Sequence, residues 1–102
     1  MKVRWTAGAV ADLSEICDYI AQDSPDAAAR IAARLLEAVG RLGAFPRSAK
    51  EVFRSWNGIV RALADPPYQV LYVIQENSVV INAVVHGRRD LARLLSSMTE
   101  RE

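Results

Sequence analysis

The sequence predicts an α+β fold in which a helical hairpin packs on one face of an antiparallel sheet. Three observations predict it. Apolar residues recur with helical period from Gly8 to Leu42, interrupted once at Asp23-Ser24-Pro25-Asp26. Beyond Gly58 the pattern changes to runs rich in β-branched residues, separated by turn-forming residues. After Arg89 the i, i+3, i+4, i+7 spacing returns at Leu91, Leu94, Leu95 and Met98, which predicts a C-terminal amphipathic helix. At 102 residues the chain holds one domain, residues 1–102.

Lys2 to Thr6 alternates polar and apolar residues, with Val3 and Trp5 on one face, and reads as a short N-terminal strand. From Gly8 to Gln22 a helix gathers Val10, Leu13, Ile16, Cys17 and Ile20 into one apolar arc, with Asp12, Glu15, Asp18, Tyr19 and Gln22 opposite. Ser24 is placed to cap a second helix, with Pro25 at its first position and Asp26 at the positive end of its dipole. Ala28, Ile31, Leu35, Ala38, Val39 and Leu42 line one side of that helix, and Gly43 and Pro46 mark its end. The short connection between the helices predicts antiparallel packing.

Arg47 to Asn57 shows no clean period and reads as a flexible loop. Three strands follow, Ile59–Ala64, Tyr68–Glu76 and Val79–His86, joined at Asp65-Pro66-Pro67 and Asn77-Ser78. A two-residue turn at Asn77-Ser78 sets Glu76 opposite Val79, Ile74 opposite Ile81, Tyr72 opposite Ala83 and Val70 opposite Val85. That face takes the helical hairpin. The other face, with Leu71 and Val84 at its centre and His86 beside Gln69, is too apolar to meet only water. Either the C-terminal segment or another protein covers it.

Composition excludes several function classes. A 51% apolar content opposes disorder. Cys17 is the sole cysteine and His86 the sole histidine, so neither a disulfide scaffold nor a Cys/His zinc site is available. No metal or cofactor is expected. The absence of a signal-like start or an 18-residue apolar run predicts a cytoplasmic chain with no membrane partner.

The net charge of +1 conceals segregation. All charges from Gly8 to Asp26 are acidic (Asp12, Glu15, Asp18, Asp23, Asp26), whereas Arg47, Lys50, Arg54 and Arg61 face Glu51 alone between residues 47 and 61. Arg88, Arg89 and Arg93 form a second basic group. Eleven of the thirteen basic residues are arginine, the fork suited to carboxylates and phosphates.

Trp5, Ala9, Asp12-Leu13 and Ile16 through Tyr19-Ile20, then Phe45-Pro46, Arg61-x-Leu63, Tyr68-x-Val70-x-Tyr72 and His86-Gly87-Arg88-Arg89-Asp90 together resemble the RelE/ParE superfamily of type II toxin–antitoxin toxins. The resemblance spans nearly the whole chain and looks more like the ParE branch. It implies a toxin that binds and inhibits a macromolecular target, DNA gyrase, and is neutralised by a cognate ParD-like antitoxin. Toxin and antitoxin would form a hetero-oligomer that meets operator DNA only through the antitoxin. A RelE-like ribosome-dependent mRNA endoribonuclease and a degenerate, non-toxic family member remain open as alternatives. One departure stands out: the Gly-Arg pair usual after Phe-Pro is replaced by Arg47-Ser48-Ala49-Lys50-Glu51.

Candidate target- or antitoxin-binding residues follow from these readings: Arg61, His86, Arg88, Arg89, Lys50, Arg54, Leu71 and Val84. Arg61 matches the family's strand arginine and can clamp a phosphate or carboxylate, or else pair with Asp65 or Asp90. His86 can act as an acid or base near neutrality, although a structural role ending the strand is the simpler reading. Arg88 and Arg89 precede Asp90, a natural cap for the last helix. Tyr68 and Tyr72 read as core, and Cys17 as a small buried residue. RNA cleavage needs a base, a cation and an acid. Without strand lysine pairs or a terminal Tyr, His or Lys that set is incomplete, so no catalytic residue is assigned.

Overall fold

The computed structural model describes residues 1–56 and 58–87. In order these form β1 (Lys2–Trp5), α1 (Ala7–Ala21), α2 (Pro25–Gly40), a 3-10 turn (Arg41–Gly43), β2 (Lys50–Ser55), β3 (Gly58–Asp65), β4 (Tyr68–Gln75) and β5 (Ser78–His86). The C-terminal helix expected from Leu91, Leu94, Leu95 and Met98 lies outside the described residues, as do Arg88, Arg89 and Asp90.

Side-chain caps start both helices. Thr6 Oγ1 accepts from the Ala9 amide at 3.2 Å and donates to the Ile81 carbonyl at 2.9 Å, so the cap also ties α1 to the sheet. Ser24 Oγ accepts from the Ala27 amide at 3.1 Å, with Pro25 opening α2 as its fixed φ favours. The sheet runs β1-β5-β4-β3-β2. β2 to β5 form an antiparallel meander, and β1 joins β5 in parallel, Lys2 opposite Ser78 and Trp5 opposite Ile81. The expected loop is therefore half strand. Its residues 50–55 escaped the period-two test because β2 carries a bulge between Glu51 and Phe53. The extra residue turns both Val52 and Phe53 toward the second sheet face.

The hairpin-side core joins Ala9, Leu35, Val39 and Leu42 to Val70, Tyr72, Val79, Ile81 and Val84. Burying each aliphatic side chain of this kind contributes about 1.5–3 kcal/mol. Val10 is not part of it; it is 53% exposed. A second cluster on the other face comprises Val60, Ala62, Leu71, Val73, Val80 and Ala83.

The β4–β5 register corrects the expected one. The turn is Glu76-Asn77, both with positive φ (50° and 62°), so Gln75 pairs with Ser78, Ile74 with Val79 and Tyr72 with Ile81. A bulge at Asn82 then shifts the pairing to Leu71–Ala83, Val70–Val84 and Tyr68–His86. One inserted residue inverts every side chain beyond it. Val84 therefore moves from the open face into the hairpin-side core, where it is 4% exposed. His86 likewise leaves its expected place beside Gln69 and stands edge-on to Tyr68, ring centroids 5.4 Å apart. Asp12 of α1 contacts the strand just past the bulge. Its Oδ2 accepts from the Val84 amide at 3.0 Å, so this carboxylate faces the sheet rather than solvent.

Candidate functional site: a cleft lined by three arginines

Where β3 begins and β4 ends, the described residues form a cleft on the hairpin-side face of the sheet. Arg61 pairs with Tyr72 and Arg54 with Ile59, so register places both arginines on that face. Together with Arg47, Gly58, Ile59 and Ile74 they line a cleft of about 330 Å³.

Arg61 is the anchored member. Its Nη1 donates to the Ala49 carbonyl at 2.9 Å and the Arg47 carbonyl at 3.3 Å, and its Nη2 pairs with Glu51 Oε2 at 3.4 Å. Its side chain is only 12% exposed. The acidic partner is thus Glu51; Asp65 is taken instead by Arg34, at 3.1 Å. Tyr72 holds the same segment from beneath, its hydroxyl donating to the Pro46 carbonyl at 2.7 Å. Burial pushes the Tyr72 phenol above its ordinary pKa, opposed by the Ala49 backbone and by the Arg61 charge. Residues 46–51 are consequently clipped to the sheet at three carbonyls, which fixes the chain carrying Arg47. No ion pair or side-chain hydrogen bond engages Arg47 or Arg54 among the described residues.

Of the candidate binding residues Arg61, His86, Arg88, Arg89, Lys50, Arg54, Leu71 and Val84, Arg88 and Arg89 lie outside the described residues and the others fall at different places on the sheet. Arg54 and Arg61 share the cleft. Lys50 pairs with Ala62 and so belongs to the opposite face, where Leu71 is 1% exposed within the second cluster. Arg47 was missed as a site residue because only the Arg61 clip, a long-range contact, carries it into place. Among the described residues no group of three or more His, Cys, Asp or Glu is placed to hold a metal. None of the described helices is long and apolar enough to cross a membrane.

Comparison with known proteins decides the family. The profile of the ParE toxin of the type II toxin–antitoxin system, parDE, matches residues 3–91. The chain belongs to the ParE toxin family. It is 39% identical over 95 residues to a putative toxin, Y4kP, of Sinorhizobium fredii, covering 92% of this chain and 96% of that one. It is also 36% identical over 88 residues to toxin RelE2 of Caulobacter vibrioides, covering 86% and 97%. In fold this ParE-family toxin is similar to a chain of the chromosomal ParDE system of P. aeruginosa, with a TM-score of 0.72 at 23% identity over 86% of this chain and 97% of that one. It is likewise similar to a chain of the toxin–antitoxin complex RelBE2 of Mycobacterium tuberculosis, with a TM-score of 0.60 at 27% identity over 83% and 95%. Two helices on a five-stranded mixed sheet are the architecture this ParE-family chain shares with both.

Proposed function

We propose that this ParE-family toxin acts by binding and inhibiting DNA gyrase, not by cutting RNA, and that a cognate antitoxin neutralises it in a hetero-oligomer. Operator DNA is met only through that antitoxin. One observation carries the choice of mechanism: the sole histidine and the arginine cleft lie at opposite ends of the sheet. His86 pairs with Tyr68 at the start of β4, whereas Ile74 lines the cleft near its end. Arg61 pairs with Tyr72, so four to six residue steps along β4 separate the histidine from the cleft, about 13–20 Å at the usual strand rise. The described cleft lining offers cations and aliphatic side chains, and none of these groups exchanges a proton near neutral pH. An anchored Arg61 that spends its donors on two carbonyls and Glu51 suits a scaffold better than a phosphorane clamp. The antitoxin reading is supported by the 27%-identical relative, whose structure is a toxin–antitoxin complex.

The test is a paired assay on the purified chain: gyrase-catalysed supercoiling, and cleavage of messenger on programmed ribosomes. Loss of supercoiling with intact messenger is the expected outcome. Messenger cleavage with supercoiling unaffected overturns the proposal in favour of a RelE-like endoribonuclease.

A further inference from the structure

We infer that the arginine cleft is a docking site for an acidic polypeptide segment bearing an apolar side chain, and that Arg47 and Arg54 are its charge-reading residues. This rests on the reading of the chain as a toxin held by an antitoxin, which is the partner that would supply the segment. It places that contact on the hairpin-side face, opposite the Leu71 face.

Arg61 is charge-compensated by Glu51 and immobilised, so the attraction of the cleft comes from Arg47 and Arg54, which have no acidic partner among the described residues. Guanidinium forks held at a fixed backbone give bidentate, oriented pairing with carboxylates. The same cleft is lined by Ile59 and Ile74, both only partly buried, an aliphatic seat that an ion alone would not fill. Each arginine also has an exposed aromatic residue two positions away, Phe45 at 65% and Trp56 at 79% exposure. Arginine and large aromatics around an apolar centre are the composition that concentrates binding energy at protein interfaces.

Nucleic acid is the competing occupant, and the charge count disfavours it. Backbone gripping draws on about six to ten phosphate contacts, whereas among the described residues the cleft lining offers two cations without an acidic partner, Arg47 and Arg54. Glu51, 56% exposed at its rim, repels a phosphate chain further. A peptide needs only two carboxylates and one apolar anchor. β2, which carries Arg54, is also the edge strand of the sheet, so an extended segment can lie beside it.

The experiment measures binding of a fluorescein-labelled peptide of repeated Glu-Leu-Glu-Ser units by anisotropy, using the full chain at low salt. The double variant Arg47→Glu, Arg54→Glu is expected to weaken binding about tenfold or more. The double variant Lys2→Glu, Arg4→Glu, which reverses two charges on the opposite sheet edge, is expected to stay within about twofold, the scale of exposed and unengaged charges. Replacing Leu by Ser in the peptide, with the protein unchanged, is expected to weaken binding as well. Equal losses in the two double variants overturn the proposal, because attraction would then follow net charge alone. Indifference to the Leu-to-Ser change, or tighter binding of an oligouridylate of equal charge, overturns it too. Circular dichroism of each variant separates lost binding from lost folding. The supercoiling assay is independent of this readout: a chain that fails to inhibit gyrase yet discriminates these peptides loses only the functional reading.

Discussion

Asp12 links α1 to the sheet through a charge-assisted hydrogen bond, its partner the Val84 amide just past the β5 bulge and beyond the last β1–β5 pair. Asp12→Ala leaves the Val84 amide buried and unpaired, which costs about 1–3 kcal/mol. Asp12→Asn keeps an acceptor oxygen and should recover most of that loss; urea unfolding of the two variants checks the order. Tyr72 supplies a second residue-level test. Its phenol is raised from 10.0 chiefly by burial, so the folded chain holds this proton more tightly than the unfolded one. The contribution is complete below about pH 10 and is lost as pH climbs through the higher folded value. Tyr72→Phe should be less stable at neutral pH by about 1 kcal/mol, the worth of the hydrogen bond to Pro46. It should also show a shallower fall in stability above pH 10. A Phe variant whose alkaline profile is as steep as the parent's would contradict the assignment.

At the scale of elements, both helices and the face assignment of β4 were legible, because their signals are local. Ser24-Pro25 announces α2, and the alternation Tyr68, Val70, Tyr72, Ile74 announces the hairpin-side face. What escaped was irregularity. β2 hides behind its Val52 bulge, and β5 hides an inversion at Asn82, since nothing in Asn82-Ala83-Val84 marks an inserted residue. The β4–β5 turn escaped for another reason: it places Glu76 at φ 50°, a conformation that glutamate does not advertise. That placement is also a liability. Glu76→Gly relieves the left-handed conformation and should raise stability by about 0.5–1 kcal/mol, seen as a higher denaturation midpoint. An unchanged or lowered midpoint would show that the turn gains nothing from a freer first residue.

For the whole molecule, charge segregation was legible in the sequence but its three-dimensional grouping was not. Arg54 and Arg61 meet through strand pairing, yet Arg47 joins them only because Arg61 and Tyr72 clip its segment to the sheet. Lys50, four residues from Arg54, is sent to the other face by the intervening bulge. Assembly of the full sheet depends on another distant contact, where β1 passes the 3-10 turn. A Cβ on Gly43 would stand 2.9 Å from the Met1 carbonyl. Gly43→Ala should therefore displace the start of β1 and destabilise the chain by about 1–3 kcal/mol. Hydrogen exchange at β1 should rise while the α1–α2 amides keep their protection. Unchanged β1 protection would mean that the backbone absorbs the methyl group without cost.

The parallel pairing of β1 with β5 also sets a timetable. Lys2 pairs with Ser78, so the first strand to leave the ribosome has no sheet to join until almost the whole meander has followed it. At about 5–20 residues per second, translation keeps β1 waiting for several seconds. When β5 does emerge, its outer edge is briefly bare, and an unpaired edge accepts any extended segment that reaches it first. Completion of the sheet is thus a race between β1 and whatever other polypeptide is near the nascent chain.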